Sequence, residues 1–194
     1  ISGDGILDVI TANAFSNDVS VLKGIGDGTF QTKQDFDVGA RPESVIVADV
    51  SGDGIEDIVA ANRDSDDVSI LKGNGDGTFQ NAVNFDTGDG PESALLGDVS
   101  GDGIDDIVTT NRSGGNVSVL KGNGDGTFQP PQTFGSLVFP NESVLGDVNG
   151  DGIEDIIVTD ALDVNILQGN GDGTFQPGIS IGVGSAGQVA LGDV

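Results

Sequence analysis

The chain contains no cysteine, histidine, tryptophan, tyrosine or methionine, and only seven of its 194 residues are basic. Each absence removes a class of chemistry. Without cysteine no disulfide staples the fold, and the redox compartment cannot be read from thiols. Without histidine or cysteine there is no Ser-His or Cys-His nucleophile pair, and no zinc site built on imidazole or thiolate. Carboxylates alone remain for acid–base work, and a glycosidase pair would need one of them in an apolar pocket. The available Glu43, Glu92 and Glu142 recur from repeat to repeat like structural residues. The expectation is that the chain is not an enzyme. No apolar run approaches the roughly 20 residues that span a bilayer. Residues 1–20 also lack the basic start and apolar middle of a signal peptide. The chain opens inside a motif that recurs later, which leaves room for a targeting segment upstream.

What is abundant is acid and glycine. Thirty-two acidic residues against seven basic ones give a formal charge of −25. Such a field repels nucleic-acid phosphates and anionic lipid, so neither nucleic-acid binding nor membrane insertion is expected. Divalent cations or basic partners are its natural counterparts; alternatively, the charge only keeps an extracellular or halophilic protein soluble. The 33 glycines are spread at regular intervals, as punctuation for many short strands, and a hydrophobic content of 36% is enough to bury a core.

Position carries more than composition. The string GDGI recurs with its aspartate at Asp4, Asp53, Asp102 and Asp151, every interval being 49 residues. A second string, GDGTF, places Asp27, Asp76, Asp125 and Asp172 at intervals of 49, 49 and 47. The two missing residues fall where TTNRSGGNVSVL at 109–120 is matched by VTDALDVNIL at 158–167. One repeat reads SVIVADV, a turn SGDGIE, DIVAAN, a polar link, DVSILKG, a turn NGDG, and TFQNAVNF. These are four strand-like runs separated by Gly, Asn and Asp, with no sustained helical period. The predicted fold is therefore all-β: β-propeller blades of four antiparallel strands, about four of them, as a complete ring or part of a larger propeller or array. A β-solenoid is the rival, but its coils are usually much shorter. The blades fall at about 1–43, 44–92, 93–142 and 143–187, with 188–194 starting a further blade.

The first turn of each repeat carries the chemistry. Asp49, Ser51, Asp53 and Asp57 stand at positions 1, 3, 5 and 9 of a loop whose sixth residue is Gly54. A hard cation such as calcium wants six to eight oxygens, and alternate residues of a tight loop aim at one centre. The carbonyl of Ile55 at position 7 is a further candidate ligand. The pattern returns as Asp98, Ser100, Asp102, Ile104 and Asp106, and as Asp147, Asn149, Asp151, Ile153 and Asp155. A fourth set is split: Ser2, Asp4, Ile6 and Asp8 lack position 1, and Asp193 supplies a position 1 with no loop after it. The expectation is that Asp193 completes that site, within the chain or head to tail with another copy. An EF-hand is excluded, because no Glu stands at position 12 and a strand follows the loop. GNGDGTF is read as a hairpin turn without metal, its Phe30, Phe79, Phe128 and Phe175 packing between blades.

With these residues in place, DVSGDGIEDIVAANRDSDDVSILKGNGDGTFQ at 49–80 and its copies at 98–129 and 147–176 resemble the FG-GAP and VCBS-type repeats. Those are the calcium-loop blades of integrin α-subunit propellers and of many secreted bacterial proteins. The resemblance implies calcium in the loop between the first two strands of a blade and a role in adhesion or recognition, extracellular or at the cell surface. The chain departs from the family in its Ser51 and Ser100, where Asn or Asp is more usual, and in lacking the words FG and GAP.

A meander puts the calcium loop and the GNGDG turn on one face and the other two connections on the opposite face. The first pair hardly changes between copies; the second pair, such as RDSDD at 63–67 and GSLVFPNE at 135–142, differs in each. A protein or glycan partner is expected on that variable face. Phe15, Arg41, Arg63, Arg112 and Phe139 are its candidate anchors. The sequons at Asn111, Asn116 and Asn141 lie there or on its border. The first functional expectation is a non-catalytic, calcium-stabilised adhesion or recognition module. The alternatives are a subunit of an extracellular fibre or surface layer assembling head to tail, and an accessory domain of a larger secreted enzyme.

Overall fold

The structure is a computed structural model describing residues 1–184 and 186–193. Its strands group into four antiparallel sheets, each a blade. The first holds β1 (Val9–Asn13), β2 (Asp18–Leu22) and β3 (Gln34–Asp37). The second holds β4 (Pro42–Ala48), β5 (Asp57–Asn62), β6 (Asp67–Leu71) and β7 (Val83–Asp86). The third holds β8 (Pro91–Gly97), β9 (Asp106–Asn111), β10 (Asn116–Leu120) and β11 (Gln132–Phe134). The fourth holds β12 (Glu142–Gly146), β13 (Asp155–Thr159), β14 (Asp163–Leu167) and β15 (Ile179–Gly182). Each sheet is a plain meander in chain order, and β1, β4, β8 and β12 lie side by side in succession.

The blades are too thin to hold a core of their own, so the core lies between them. Successive side chains of a strand point to opposite faces, and β5 divides accordingly. Ile58 and Ala60 join Val19 and Val21 of the first blade, while Val59 and Ala61 join Ile107 and Leu120 of the third. Every residue of β5 and β9 is therefore buried, and neither strand alternates apolar with polar residues: β5 runs Ile58–Ala61 without a break, and in β9 the buried Thr109 and Thr110 hydroxyls are hydrogen-bonded to Asn111 and Ser143.

Two bulges depart from the expected regular strands. The run TFQNAVNF is not one strand. Gly73 bridges Phe79, but Ile70 pairs with Val83, so one extra residue is inserted between them, and the same slip occurs in all four blades. The cause is the tight turn before it. Asn74 donates to Thr78 O at 3.0 Å, and Asp76 Oδ1 accepts from the Thr78 amide and hydroxyl at 2.9 and 2.6 Å, closing a small hairpin ahead of the outer strand. The second bulge falls between Pro42 and Ser44, and between Pro91 and Ser93, which frees Glu43 and Glu92 from the ladder.

Residues 188–194 were expected to begin a further blade; Val194 lies outside the described residues, and 188–193 form no strand. Leu191 nevertheless lies against Gly146 of β12 as Leu145 lies against Gly97 of β8, so the segment follows the course of a next first strand without pairing.

Candidate functional site

Each of the three complete aspartate loops wraps around its first aspartate. Asp49 Oδ1 accepts from the amides of Gly52 and Asp53 at 2.7 and 3.2 Å, and Oδ2 from Gly54 at 2.8 Å. Asp147 holds Gly150, Asp151 and Gly152 in the same way, at 2.6, 3.2 and 2.9 Å. Asp98 holds Asp102 and Gly103 at 3.0 and 2.8 Å. The aspartate at position 5 closes an Asx turn onto position 7: Asp53 onto Ile55 and Asp4 onto Ile6 at 2.8 Å, Asp102 onto Ile104 and Asp151 onto Ile153 at 2.9 Å. Winding this tight needs positive φ at positions 4 and 6, +71° at Gly52 and +83° at Gly54.

Position 9 has a different task. Asp57, Asp106 and Asp155 are wholly buried, and each ties the loop to the end of the third strand. Asp57 Oδ2 accepts from Ser51 N at 3.0 Å while Oδ1 accepts from Gly73 N at 2.8 Å. Gly122 and Gly169 bond Asp106 and Asp155 likewise, both at 2.9 Å, and Asp8 holds Ser2 and Gly24 at 2.9 and 3.0 Å. Gly73 has to be glycine, since a Cβ there would stand 2.3 Å from Glu56 O. The Ile55, Ile104, Ile153 and Ile6 side chains cover the turn of their own blade.

Burial and amide donors act in opposite directions on these carboxyls. At Asp49 burial raises the pKa, but the Gly54, Gly52 and Asp53 amides outweigh it and the net value is lowered. The Gly152 amide leads the lowering at Asp147. At Asp8 burial is again outweighed, by Gly24 and Ser2. At Asp106 burial wins and the pKa is raised.

The donor set suits a hard divalent cation: carboxylate, hydroxyl, amide and carbonyl oxygens, with no nitrogen or sulfur ligand. Ser2 Oγ and Ser100 Oγ, at position 3, are buried without a hydrogen-bond partner, an unmet demand that a cation would satisfy. Among the described residues, however, no three acidic side chains stand close enough together to hold an ion, because those at positions 1 and 5 are turned onto amides. Asp193 is exposed, and among the described residues no hydrogen bond or ion pair joins it to Ser2, Asp4 or Asp8.

On the opposite face the candidate anchors Arg41, Arg63 and Arg112 are paired with glutamates. Freed by its bulge, Glu43 accepts from Arg41 Nε at 2.7 Å, and Glu92 stands 3.0 Å from Arg63 and 3.6 Å from Arg112. Arg63 also approaches Glu43 at 3.9 Å, so the arginines and glutamates form a ladder across neighbouring blades. Phe139 lies beyond its end, 60% exposed with φ +51°, its ring 6.0 Å from the Arg112 guanidinium carbon. Phe15 is fully exposed. Of the sequons, Asn111 is wholly buried and its amide nitrogen donates to Asn116 and Ser118 at 2.8 and 2.7 Å, out of reach of a modifying enzyme. Asn116 is half-buried; Asn141 is exposed.

Sequence reasoning missed the grooves between blades. Phe36 meets Phe79 edge-on at 5.2 Å, Phe85 meets Phe128 at 5.5 Å, and Phe134 meets Phe175 at 5.2 Å. Beside each pair the outer strand of one blade and the bulged segment of the next enclose a groove. The largest, about 570 Å³, is lined by Asp35, Asp37, Gln80, Asn81 and Asn84 besides its phenylalanines. The signal was the recurrence of Phe36, Phe85 and Phe134 at a constant offset of nine residues from the aspartate of the GDGTF string.

The model of the FG-GAP-like repeat matches residues 1–60, 49–109, 98–158 and 147–194. The chain belongs to the FG-GAP-like repeat family. The fold is similar to that of an Agrocybe aegerita lectin described for its specific recognition of non-reducing terminal N-acetylglucosamine. The two share 24% identity and a TM-score of 0.60 over 92% of this chain and 49% of the lectin, so this FG-GAP chain spans about half the lectin's length. A Photorhabdus luminescens Tc holotoxin pore matches at 19% identity and a TM-score of 0.47, over 94% of this chain and 9% of that one. No curated protein matches the chain in sequence.

Proposed function

We propose that this FG-GAP chain is a non-catalytic, calcium-stabilised recognition module, acting outside the cell or at its surface, that binds carbohydrate in the grooves between blades. Calcium would be held by Asp49, Ser51, Asp53, Ile55 and Asp57 and by the equivalent residues of the loops at 98–106 and 147–155. The ion would supply the positive charge that lets three carboxylates share one turn.

The observation that carries the carbohydrate reading is the repeated groove. Side-chain amides and carboxylates line a shallow cleft floored by an aromatic pair, the groups that hydrogen-bond sugar hydroxyls and stack on sugar C–H faces. The lectin of similar fold favours the same class of ligand. The exposed Phe139 beside Arg112 and Asn141 keeps the variable face as a second reading.

The test is binding to immobilised glycans ending in N-acetylglucosamine, with calcium and with chelator. Asn81→Ala is expected to weaken binding about fivefold to tenfold at an unchanged melting temperature, the worth of one or two hydrogen bonds. Loss of binding in Phe139→Ala with Asn81→Ala unaffected would move the site to the variable face. No binding to any glycan in calcium would refute carbohydrate recognition.

A further inference from the structure

Three lysines recur directly after β2, β6 and β10, Lys23, Lys72 and Lys121, in the string LKG; the fourth repeat has Gln168. Among the described residues none of them forms an ion pair, although the charge of each helps to lower the carboxyl of Asp76, Asp125 or Asp172 after the bonds from the following threonine. Each Nζ donates instead to a backbone carbonyl in the GDG turn of the following blade: Lys23 to Asp76 O, Lys72 to Asp125 O, and Lys121 to Asp172 O. The same turn meets the cation loop of the lysine's own blade. Gly126 N donates to Val50 O and Gly173 N to Val99 O, both at 3.0 Å, and in each case the acceptor is position 2 of the loop. Loop and turn also touch through glycine alone, since a Cβ on Gly52 would stand 2.9 Å from Gly124 O, and one on Gly101 would stand 2.8 Å from Gly171 O.

We propose that Lys72 and Lys121 are positioning residues that fasten the cation loops at 49–57 and 98–106 to the GDG turn of the following blade, so that filling a loop tightens the junction between two blades; Lys23 makes the same grip on the next turn beside the split loop. The lysine grips the turn from the strand end while position 2 of the loop grips it from the other side. A loop whose backbone is fixed by an ion holds its position 2 carbonyl fixed as well. The turn amide bonded to that carbonyl then opens less often. The GDG turn, which carries no ligand of its own, becomes the place where occupancy of the neighbouring blade's loop is felt. This rests on the calcium reading above.

The test is amide hydrogen exchange at Gly126 and Gly173, followed by NMR on the full chain with calcium alone as ligand and with chelator. Calcium is expected to slow both amides about tenfold or more. Asp53→Asn, which weakens the loop at 49–57, is expected to abolish the effect at Gly126 and keep it at Gly173. Lys72→Met, which keeps the side-chain stem, is expected to speed exchange at Gly126 in both conditions and to shrink its calcium response; Lys72→Arg is expected to restore it. If calcium slows the loop amides of Gly54 and Gly103 but not Gly126 and Gly173, the coupling is overturned and the calcium reading stands. If calcium slows none of them, it is the calcium reading that fails.

Discussion

Phe128 and Phe30 stand in the same string with the same hairpin bridge, to Gly122 and Gly24 respectively, yet they face different surroundings. Phe128 is 8% exposed and meets Phe85 of the preceding blade edge-on, whereas Phe30 is 43% exposed and among the described residues stacks on no other ring. Phe128→Ala removes a buried ring from between two sheets and leaves a cavity, at a cost of about 3–5 kcal/mol, of which ~0.5–1.5 belongs to the aromatic pair. Phe30→Ala removes a ring already half in water, and area alone puts its cost at about 1 kcal/mol. With a urea slope of about 2–3 kcal/mol/M, the two midpoints should differ by about 1 M. Urea denaturation followed by circular dichroism reads this directly. Equal losses from the two variants would refute the claim that the core lies between blades, because local strand pairing is the same at both sites.

Burial raises the pKa of Asp67 beyond what its bonds to Asn62 and Ser65 offset, with Asp86 directly across the ladder adding to the rise. The folded state therefore binds the proton more tightly, and stability falls as pH climbs from the ordinary carboxylate range through the raised value. Asp67→Asn, which installs the residue found at the equivalent Asn116, should raise the melting temperature at pH 7 and leave it unchanged below pH 3. Removing the centre of the arginine ladder by Arg63→Ala should cost about 1 kcal/mol or less in low salt and less still at 1 M salt, as measured by denaturation. In a glycosylating host, mass spectrometry should find sugar on Asn141 and none on Asn111. Asn111→Ala should cost ~1–3 kcal/mol, for the unpaired Asn116 and Ser118 groups left behind.

The repeat length, the strand class and the two faces were legible because spacing of aspartate and glycine is itself the constraint: Gly52 and Gly54 need positive φ, and Asp57 must reach both Ser51 and Gly73. What escaped was whatever depends on a neighbouring blade. Arg63 looks free in its own repeat, and only the bulge that turns Glu92 of the next blade toward it reveals the pairing. Asn111 reads as a loop sequon, but it ends a strand that both neighbouring sheets cover. The lysines were visible as a recurrence, yet nothing in one repeat says that their partner is a carbonyl of the next, 53 residues on for Lys23 and Lys72 and 51 for Lys121. One-residue slips such as that between Phe79 and Val83 leave no mark in a hydrophobic pattern, since they add a polar residue to an already polar stretch.

Calorimetric titration of chelator-stripped protein with calcium separates cation-binding aspartate loops from bare turns. Binding is expected at the three complete loops, with one site lost in Asp53→Asn and a melting temperature that rises with calcium as linkage requires. No binding heat, together with a melting temperature indifferent to calcium and chelator, would contradict that expectation.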